Sequence, residues 1–200
     1  MITVDIERGS ETWDQLRRGS IGGSSIAKAV AKGEGKTRKQ LLYDMVGEIL
    51  SGKRKESYHD KNMDAGIEYE SEARNLYAFR YDVEVQEIFM FRDHPHKHAM
   101  PDGVVSDDGM IEIKTVTPSV FVEAKLTKKI PTGYRKQMQW GMARSGRQWC
   151  DYVVYCPYVI DIDPLSVIRV YRDEKEIAEL ESGADEFIED MLKMVERMRT

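Results

Sequence analysis

Apolar positions along this chain recur with two periods, and the changes of period mark out its elements. Trp13 and Leu16 follow Ser10 at helical spacing, with the serine placed to cap a short helix that ends at Gly19. A second short helix opens at Gly22-Gly23-Ser24 and runs from Ser25 to Ala31. From Gln40 to Leu50, residues Leu41, Leu42, Met45, Val46 and Ile49 make the inward stripe of an amphipathic helix. Met63 to Tyr81 predicts a long helix in which Tyr69, Ala73, Leu76, Tyr77 and Arg80 recur at three and four residues. Ser119 to Lys129 and Thr132 to Ser145 predict two more, the latter with Tyr134, Met138, Gly141 and Met142 on one stripe. A last helix spans Asp173 to Arg199, where Gly183 is expected to break or kink it.

Between the helices the period falls to two. Val83 to Phe91 predicts a strand leading into the loop His94-Pro95-His96-Lys97-His98. Val104-Val105 and Met110 to Val116 flank Ser106-Asp107-Asp108-Gly109, which is turn chemistry, so Pro101 to Lys114 reads as a β-hairpin. Residues 151–160 and 166–171 predict two strands joined at Asp161-Ile162-Asp163-Pro164. With no internal repeat and no linker, this predicts a single α/β domain over residues 1–200, a mixed sheet flanked by helices.

Composition narrows the class. The 200 residues are 41% hydrophobic and 32% charged, as in a soluble globular protein. No apolar run reaches membrane-spanning length, and Met1 to Gly9 carries Asp5 and Glu7 rather than a signal-peptide core. The expectation is a cytoplasmic protein with no membrane contact. Cys150 and Cys156 lie on one face of a strand but too far apart for a disulfide, which predicts two buried thiols. The net charge of −5 argues against indiscriminate nucleic-acid binding. Yet Lys and Arg cluster at Arg17-Arg18, Lys28 to Lys39, Lys53 to Lys55 and Lys125 to Lys136, while acids dominate the last thirty positions. That asymmetry leaves room for a basic groove facing a polyanion.

The hairpin carries the candidate chemistry. Antiparallel pairing brings Asp102 back beside Glu112, and period two puts Lys114 on the same face as Glu112. Two close carboxylates repel unless a cation sits between them. Oxygen ligands, with the Ile113 carbonyl as a further donor, suit a hard ion, Mg²⁺ or Mn²⁺. Lys114 is placed to orient or deprotonate an attacking water, and the set fits phosphodiester hydrolysis. The plainer reading is a solvent-facing Glu-x-Lys pair on a sheet surface. Glu70 sits at the edge of its helix's apolar stripe and has an equally plain reading as an i,i+4 partner of Arg74. Small residues and hydroxyls at Gly22 to Ser25 suit an anion site or an ordinary helix cap. The three alternating histidines lack a fourth ligand and are interrupted by Pro95, a weak metal signature.

Helical Glu70, then Pro101-Asp102, then Glu112-Ile113-Lys114, then a glutamine-bearing helix is an order that resembles the PD-(D/E)xK nuclease superfamily. Within it the chain resembles the phage lambda exonuclease family, the YqaJ-type viral recombinases. The resemblance is carried by Trp13-x-x-Leu16-Arg17-x-Gly19-x-Ile21-x-x-Ser24, Gly66-x-x-Tyr69-Glu70-x-x-Ala73-Arg74, Pro101-Asp102-Gly103, Glu112-Ile113-Lys114 and Gln137-x-Gln139. It implies a restriction-endonuclease-like core and a 5′-to-3′ exonuclease on linear double-stranded DNA that releases 5′-mononucleotides. It implies two Mg²⁺ ions per site, with Mn²⁺ as a possible substitute, and a homotrimeric ring threaded by the duplex. A single-strand annealing protein is the implied partner, and the implied setting is a bacterial host cell, with the chain a phage or prophage product.

Residue by residue, Asp102 matches the metal-bridging aspartate, and Glu112 with the Ile113 carbonyl the remaining protein ligands of the first ion. Lys114 matches the water-activating lysine and Glu70 a helical acid beside the metals. Gln139 is the better fit to the active-site glutamine, with Gln137 second. Arg17 and Ser24 match a pocket for the terminal 5′-phosphate, and Met63 falls where the family has a strand-separating wedge. One departure is Met100, where the family pattern has a serine before Pro-Asp; it removes one hydroxyl from the pocket. Rival readings are a Cas4-like or restriction-type nuclease and a non-catalytic DNA-end-binding protein. Two cysteines cannot supply a four-cysteine cluster, and the intact Asp102, Glu112 and Lys114 argue against a non-catalytic role.

Overall fold

The computed structural model describes residues 2–4, 9–32, 35–55, 61–88 and 90–200, with the backbone course alone for 2–4 and 61–68. In chain order the elements are β1 (Ile2–Val4), α1 (Glu11–Arg17), α2 (Gly23–Ala29), α3 (Lys36–Ser51), α4 (Lys61–Tyr81), β2 (Val85–Gln86), β3 (Met90–His94), β4 (Lys97–Ala99), β5 (Gly103–Val105), β6 (Gly109–Thr115), α5 (Pro118–Thr127), α6 (Thr132–Ser145), β7 (Trp149–Tyr155), β8 (Leu165–Tyr171) and α7 (Glu174–Arg199).

Five strands make a mixed sheet in the order β2-β5-β6-β7-β8. β5 and β6 pair antiparallel as a hairpin, β6 and β7 run parallel along their full lengths, and β8 returns antiparallel to β7. The parallel pair requires a long crossover, which α5 and α6 provide. Alternation along β6 splits its side chains between two apolar layers. Ile111 and Ile113 pack with Ala73 and Tyr77 of α4, while Met110 packs with Phe121 of α5 and Met138 and Met142 of α6. A third layer joins α2, α3 and α7 around Trp140 and Phe187, both fully buried. Each large side chain buried this way stabilises the fold by about 1.5–3 kcal/mol.

A smaller sheet of order β1-β3-β4 stands beside the first. Its β4 strand is fastened to α7 by charge. Lys97, 5% exposed, meets Glu181 at 2.7 Å and Asp185 at 2.6 Å. Arg144 of α6 joins the same network through Asp93 and Glu181. Such pairs hold register, because breaking one strands a buried charge.

Several sequence expectations need correction. Val83 to Phe91 is not one strand: β2 joins the large sheet and β3 the small one, with residue 89 outside the described residues. The strand expected over 151–160 ends at Tyr155, since Pro157 has no amide to extend the ladder. α3 begins four residues early, at Lys36. α7 runs unbroken through Gly183, because that glycine serves packing rather than a kink. A Cβ there would stand 2.9 Å from Cγ1 of Val30, so its absence lets α7 lie against the end of α2. The histidines of the β3–β4 turn do not converge. His96 Nδ1 meets the Gly19 carbonyl at 2.7 Å, and His98 Nδ1 meets Ser20 Oγ at 2.8 Å. Both cysteines are buried free thiols. No helix among the described residues is long and apolar enough to cross a membrane.

Candidate active site

Hairpin register places the two carboxylates. Gly103 pairs with Ile111, so Asp102 falls opposite Glu112, and the Asp102 amide donates to the Ile111 carbonyl at 3.2 Å. Asp102 Oδ2 accepts from the Ile113 amide at 2.7 Å, which fixes the aspartate across the strand end. Glu112 is 1% exposed, so the solvent-facing reading of Glu-x-Lys does not hold. α6 covers it: Gln137 Nε2 donates to Glu112 Oε1 at 2.6 Å, and Lys114 Nζ pairs with the same oxygen. The Lys114 ammonium also lies 5.2 Å from the ring centre of Tyr134, which stacks on Tyr152.

Glu70 reaches the same end of the sheet through Arg74. The i,i+4 pair forms, with Arg74 Nη2 donating to Glu70 Oε1 at 2.9 Å. Arg74 does more than pair: its Nε donates to the Asp102 carbonyl at 2.8 Å, and its Nη1 lies 2.5 Å from Glu87. The guanidinium thereby staples α4 to the start of the hairpin.

Burial, the neighbouring Asp102 and, further off, Glu70 push the Glu112 carboxyl well above the ordinary carboxylate range, although Lys114 opposes the shift. Burial also works against charge on Lys114, but Glu112 and Asp102 more than offset it and hold the ammonium protonated. A buried carboxylate crowded by others is a site that gains from a cation. Among the described residues no three His, Cys, Asp or Glu side chains gather as a complete cage. Asp102, Glu112 and the Ile113 carbonyl nevertheless fit Mg²⁺, which takes few carboxylates and keeps waters or phosphate oxygens as its other ligands.

The structure corrects the glutamine. Gln139 is fully buried away from Glu112, donating to the Tyr171 carbonyl at 2.9 Å and accepting from the Asp173 amide at 3.0 Å. It fastens β8 and the start of α7. Gln137 is the glutamine that meets Glu112, as residues two apart on a helix point about 200° apart. The signal was available: Gln137 is three residues past Tyr134 and four before Gly141, on the stripe that faces the sheet.

Arg17 and Ser24 both line a neighbouring cleft of about 400 Å³, beside the α1–α2 turn. The Arg17 guanidinium lies 3.9 Å from the ring centre of Trp13, which sets its direction. The wall includes His98, 3% exposed, whose imidazole burial and the charges of Arg17, Arg54 and Arg92 push down to about 3. It also includes Glu48, a buried acid of α3 that accepts from the Gly19 amide at 3.1 Å. Gly22 and Ser24 of the cleft wall flank Gly23, where a Cβ would stand 3.0 Å from Cγ of Gln137, the residue that meets Glu112. The Met63 side chain lies outside the described residues. Sequence reading paired Arg74 with Glu70 but not with Asp102 or Glu87, and it passed over the roles of Tyr134, Glu48, Arg54 and His98, which reach their sites by long-range packing.

The sequence matches the family described as YqaJ-like viral recombinase domain over residues 12–148. The fold is similar to that of an alkaline exonuclease, LHK-Exo, from Laribacter hongkongensis. That chain is 31% identical with a TM-score of 0.86, and the match covers 95% of this chain and 96% of that one. A structure of LHK-Exo in complex with dAMP is similar at 32% identity and a TM-score of 0.87, over the same shares. A phage-related exonuclease from Haemophilus somnus 129PT shares the fold, with a TM-score of 0.70 at 16% identity over 90% of this chain and 96% of that chain. No curated protein matches the sequence.

Proposed function

The chain belongs to the YqaJ-like viral recombinase domain family, and from this premise we propose that it is a 5′-to-3′ exonuclease on linear double-stranded DNA. The observation that carries the reading is the convergence of Asp102, Glu112, Lys114 and Gln137 at one end of a hairpin. The similarity to an alkaline exonuclease supports the nuclease class, and its complex with dAMP supports a deoxynucleoside monophosphate as product.

In this reading residues 1–200 act as one nuclease unit. Asp102, Glu112 and the Ile113 carbonyl would hold the divalent ions, two per site in this reading. Mg²⁺, or Mn²⁺ in its place, supplies Lewis-acid stabilisation of the scissile phosphate and the departing 3′-oxygen. Lys114 donates from a fixed position, since Glu112 and Tyr134 hold its ammonium. It orients the attacking water and counters charge growing on phosphorus. Gln137 keeps Glu112 in its rotamer, and Glu70 with Arg74 fixes the Asp102 backbone. Arg17 and Ser24 hold the terminal 5′-phosphate in the adjoining cleft. The reaction leaves a 3′ single strand for a single-strand annealing protein, and the working form is a trimeric ring in the host cytoplasm.

A time course on linear duplexes with and without Mg²⁺, read by product size and labelled end, tests this. Mononucleotides should be released from 5′ ends only with the ion, and Asp102→Ala or Glu112→Ala should abolish release. Cutting of closed circular DNA would place the chain with restriction-type enzymes instead. DNA binding without nucleotide release would make it an end-binding protein.

A further inference from the structure

The cleft beside the α1–α2 turn contains a cation that Arg17 and Ser24 leave without a task. Arg54 follows the C-terminus of α3, just past Gly52, whose φ of 69° reverses the chain. Arg54 lines the same cleft as Arg17, and its Nη1 is buried with no hydrogen-bond partner among the described residues. Buried donors in folded proteins are almost always paired, and an orphan points to an absent acceptor.

Glu48 explains how Arg54 is placed. One carboxylate oxygen accepts from the Gly19 amide at 3.1 Å, two residues after Arg17. The other accepts from the Lys55 amide at 3.1 Å and lies 3.7 Å from Arg54 Nε. A single buried acid thus ties the turn that carries Arg17 to the segment that carries Arg54. With Nε turned to Glu48, Nη1 is left as a buried donor with no partner among the described residues. Lys55 is no rival, because Asp44 takes its ammonium at 2.8 Å. His98 meets Ser20 Oγ and contributes no charge as a neutral ring.

A terminal phosphomonoester carries nearly two negative charges and three acceptor oxygens, whereas an internal diester carries one charge. One guanidinium suffices for the diester; two from different elements favour the monoester. We propose that Arg54, positioned by Glu48, is a second phosphate-binding guanidinium of this cleft, so that Arg17 and Arg54 together select a 5′-phosphorylated end. This rests on the reading of the cleft as the seat of the terminal 5′-phosphate.

The test compares initial rates on linear duplexes with 5′-phosphate and 5′-hydroxyl ends, for wild type, Arg17→Ala, Arg54→Gln, Arg54→Lys and Glu48→Gln. The readout is the ratio of the two rates, which a general loss of folded enzyme does not change. Arg54→Gln should lower that ratio about tenfold or more. Arg54→Lys should recover part of it, keeping the charge but not the fork, and Glu48→Gln should fall between wild type and Arg54→Gln. Wild-type ratios in both Arg54 variants, with the ratio lost in Arg17→Ala, would overturn the role of Arg54 and leave the cleft reading intact. A wild type that does not distinguish the two ends would overturn the cleft reading and this inference with it.

Discussion

Two glutamines two positions apart in α6 do different work, and mutation should separate them. Gln137→Ala removes a contact to Glu112 and should lower turnover roughly tenfold to a hundredfold, with little change in urea stability. Gln139→Ala strands the Asp173 amide and should cost about 1–3 kcal/mol of stability in the same titration. Reversed phenotypes would restore Gln139 to the site. His98 makes a pH-dependent case. Its folded value of about 3 lies below the ordinary 6.5, so the unfolded chain binds the extra proton and stability falls as pH drops from 6.5 toward 3. Between pH 7 and pH 5 the loss from this group is about 2 kcal/mol. Urea melts at both values should show His98→Gln less pH-sensitive by about that amount, and an unchanged difference would mean that His98 is not buried neutral. At this scale the sequence was readable wherever local arithmetic decides. Hairpin register brought Asp102 to Glu112, and helical spacing brought Glu70 to Arg74. It was unreadable where a helix's rotation against a sheet decides, as for Gln137, or where packing across 78 positions decides, as for Ser20 and His98.

Among elements, α7 shows how close packing overrides a local preference. Glycine in a helix interior costs about 1 kcal/mol against alanine, yet Gly183 lies in an unbroken turn because Val30 occupies the space a side chain would need. Gly183→Val should therefore destabilise by about 1–3 kcal/mol through overpacking, despite valine's better helix propensity. A stabilised variant in a denaturant titration would show that α2 and α7 can part at no cost. The helical periods were largely legible, since a buried stripe repeats within one element. Sheet membership was not: nothing local in residues 83–91 says that β2 and β3 join different sheets. Asp151 is a similar case. It is 2% exposed, holds Tyr77 at 2.6 Å, and faces its cross-strand partner Arg169. That pairing becomes visible only once β7 and β8 are in register.

At the scale of the whole molecule, a trimer predicts a mass about three times 23.1 kDa by light scattering, and a mass near 23 kDa at working concentration would exclude a ring. Contacts between copies leave no trace in one chain's hydrophobic period, so this expectation rests on the resemblance and on an acidic net charge with local basic clusters, which suits a ring positive inside and negative outside. The buried Glu112 beside Asp102 has a consequence that needs neither DNA nor turnover. A ligand that binds only the folded chain raises its melting temperature, by the equivalent of about 2.7 kcal/mol at a hundredfold excess over its dissociation constant. For a domain of this size that is roughly 5–10 °C. Differential scanning calorimetry with Mg²⁺ or a chelator should show such a rise in wild type and none in Asp102→Ala or Glu112→Ala. An ion-independent melt in all three would mean that the carboxylates hold no ion. The thermal midpoint then serves as a gauge of metal loading, and ions can be ranked by the heat the fold withstands.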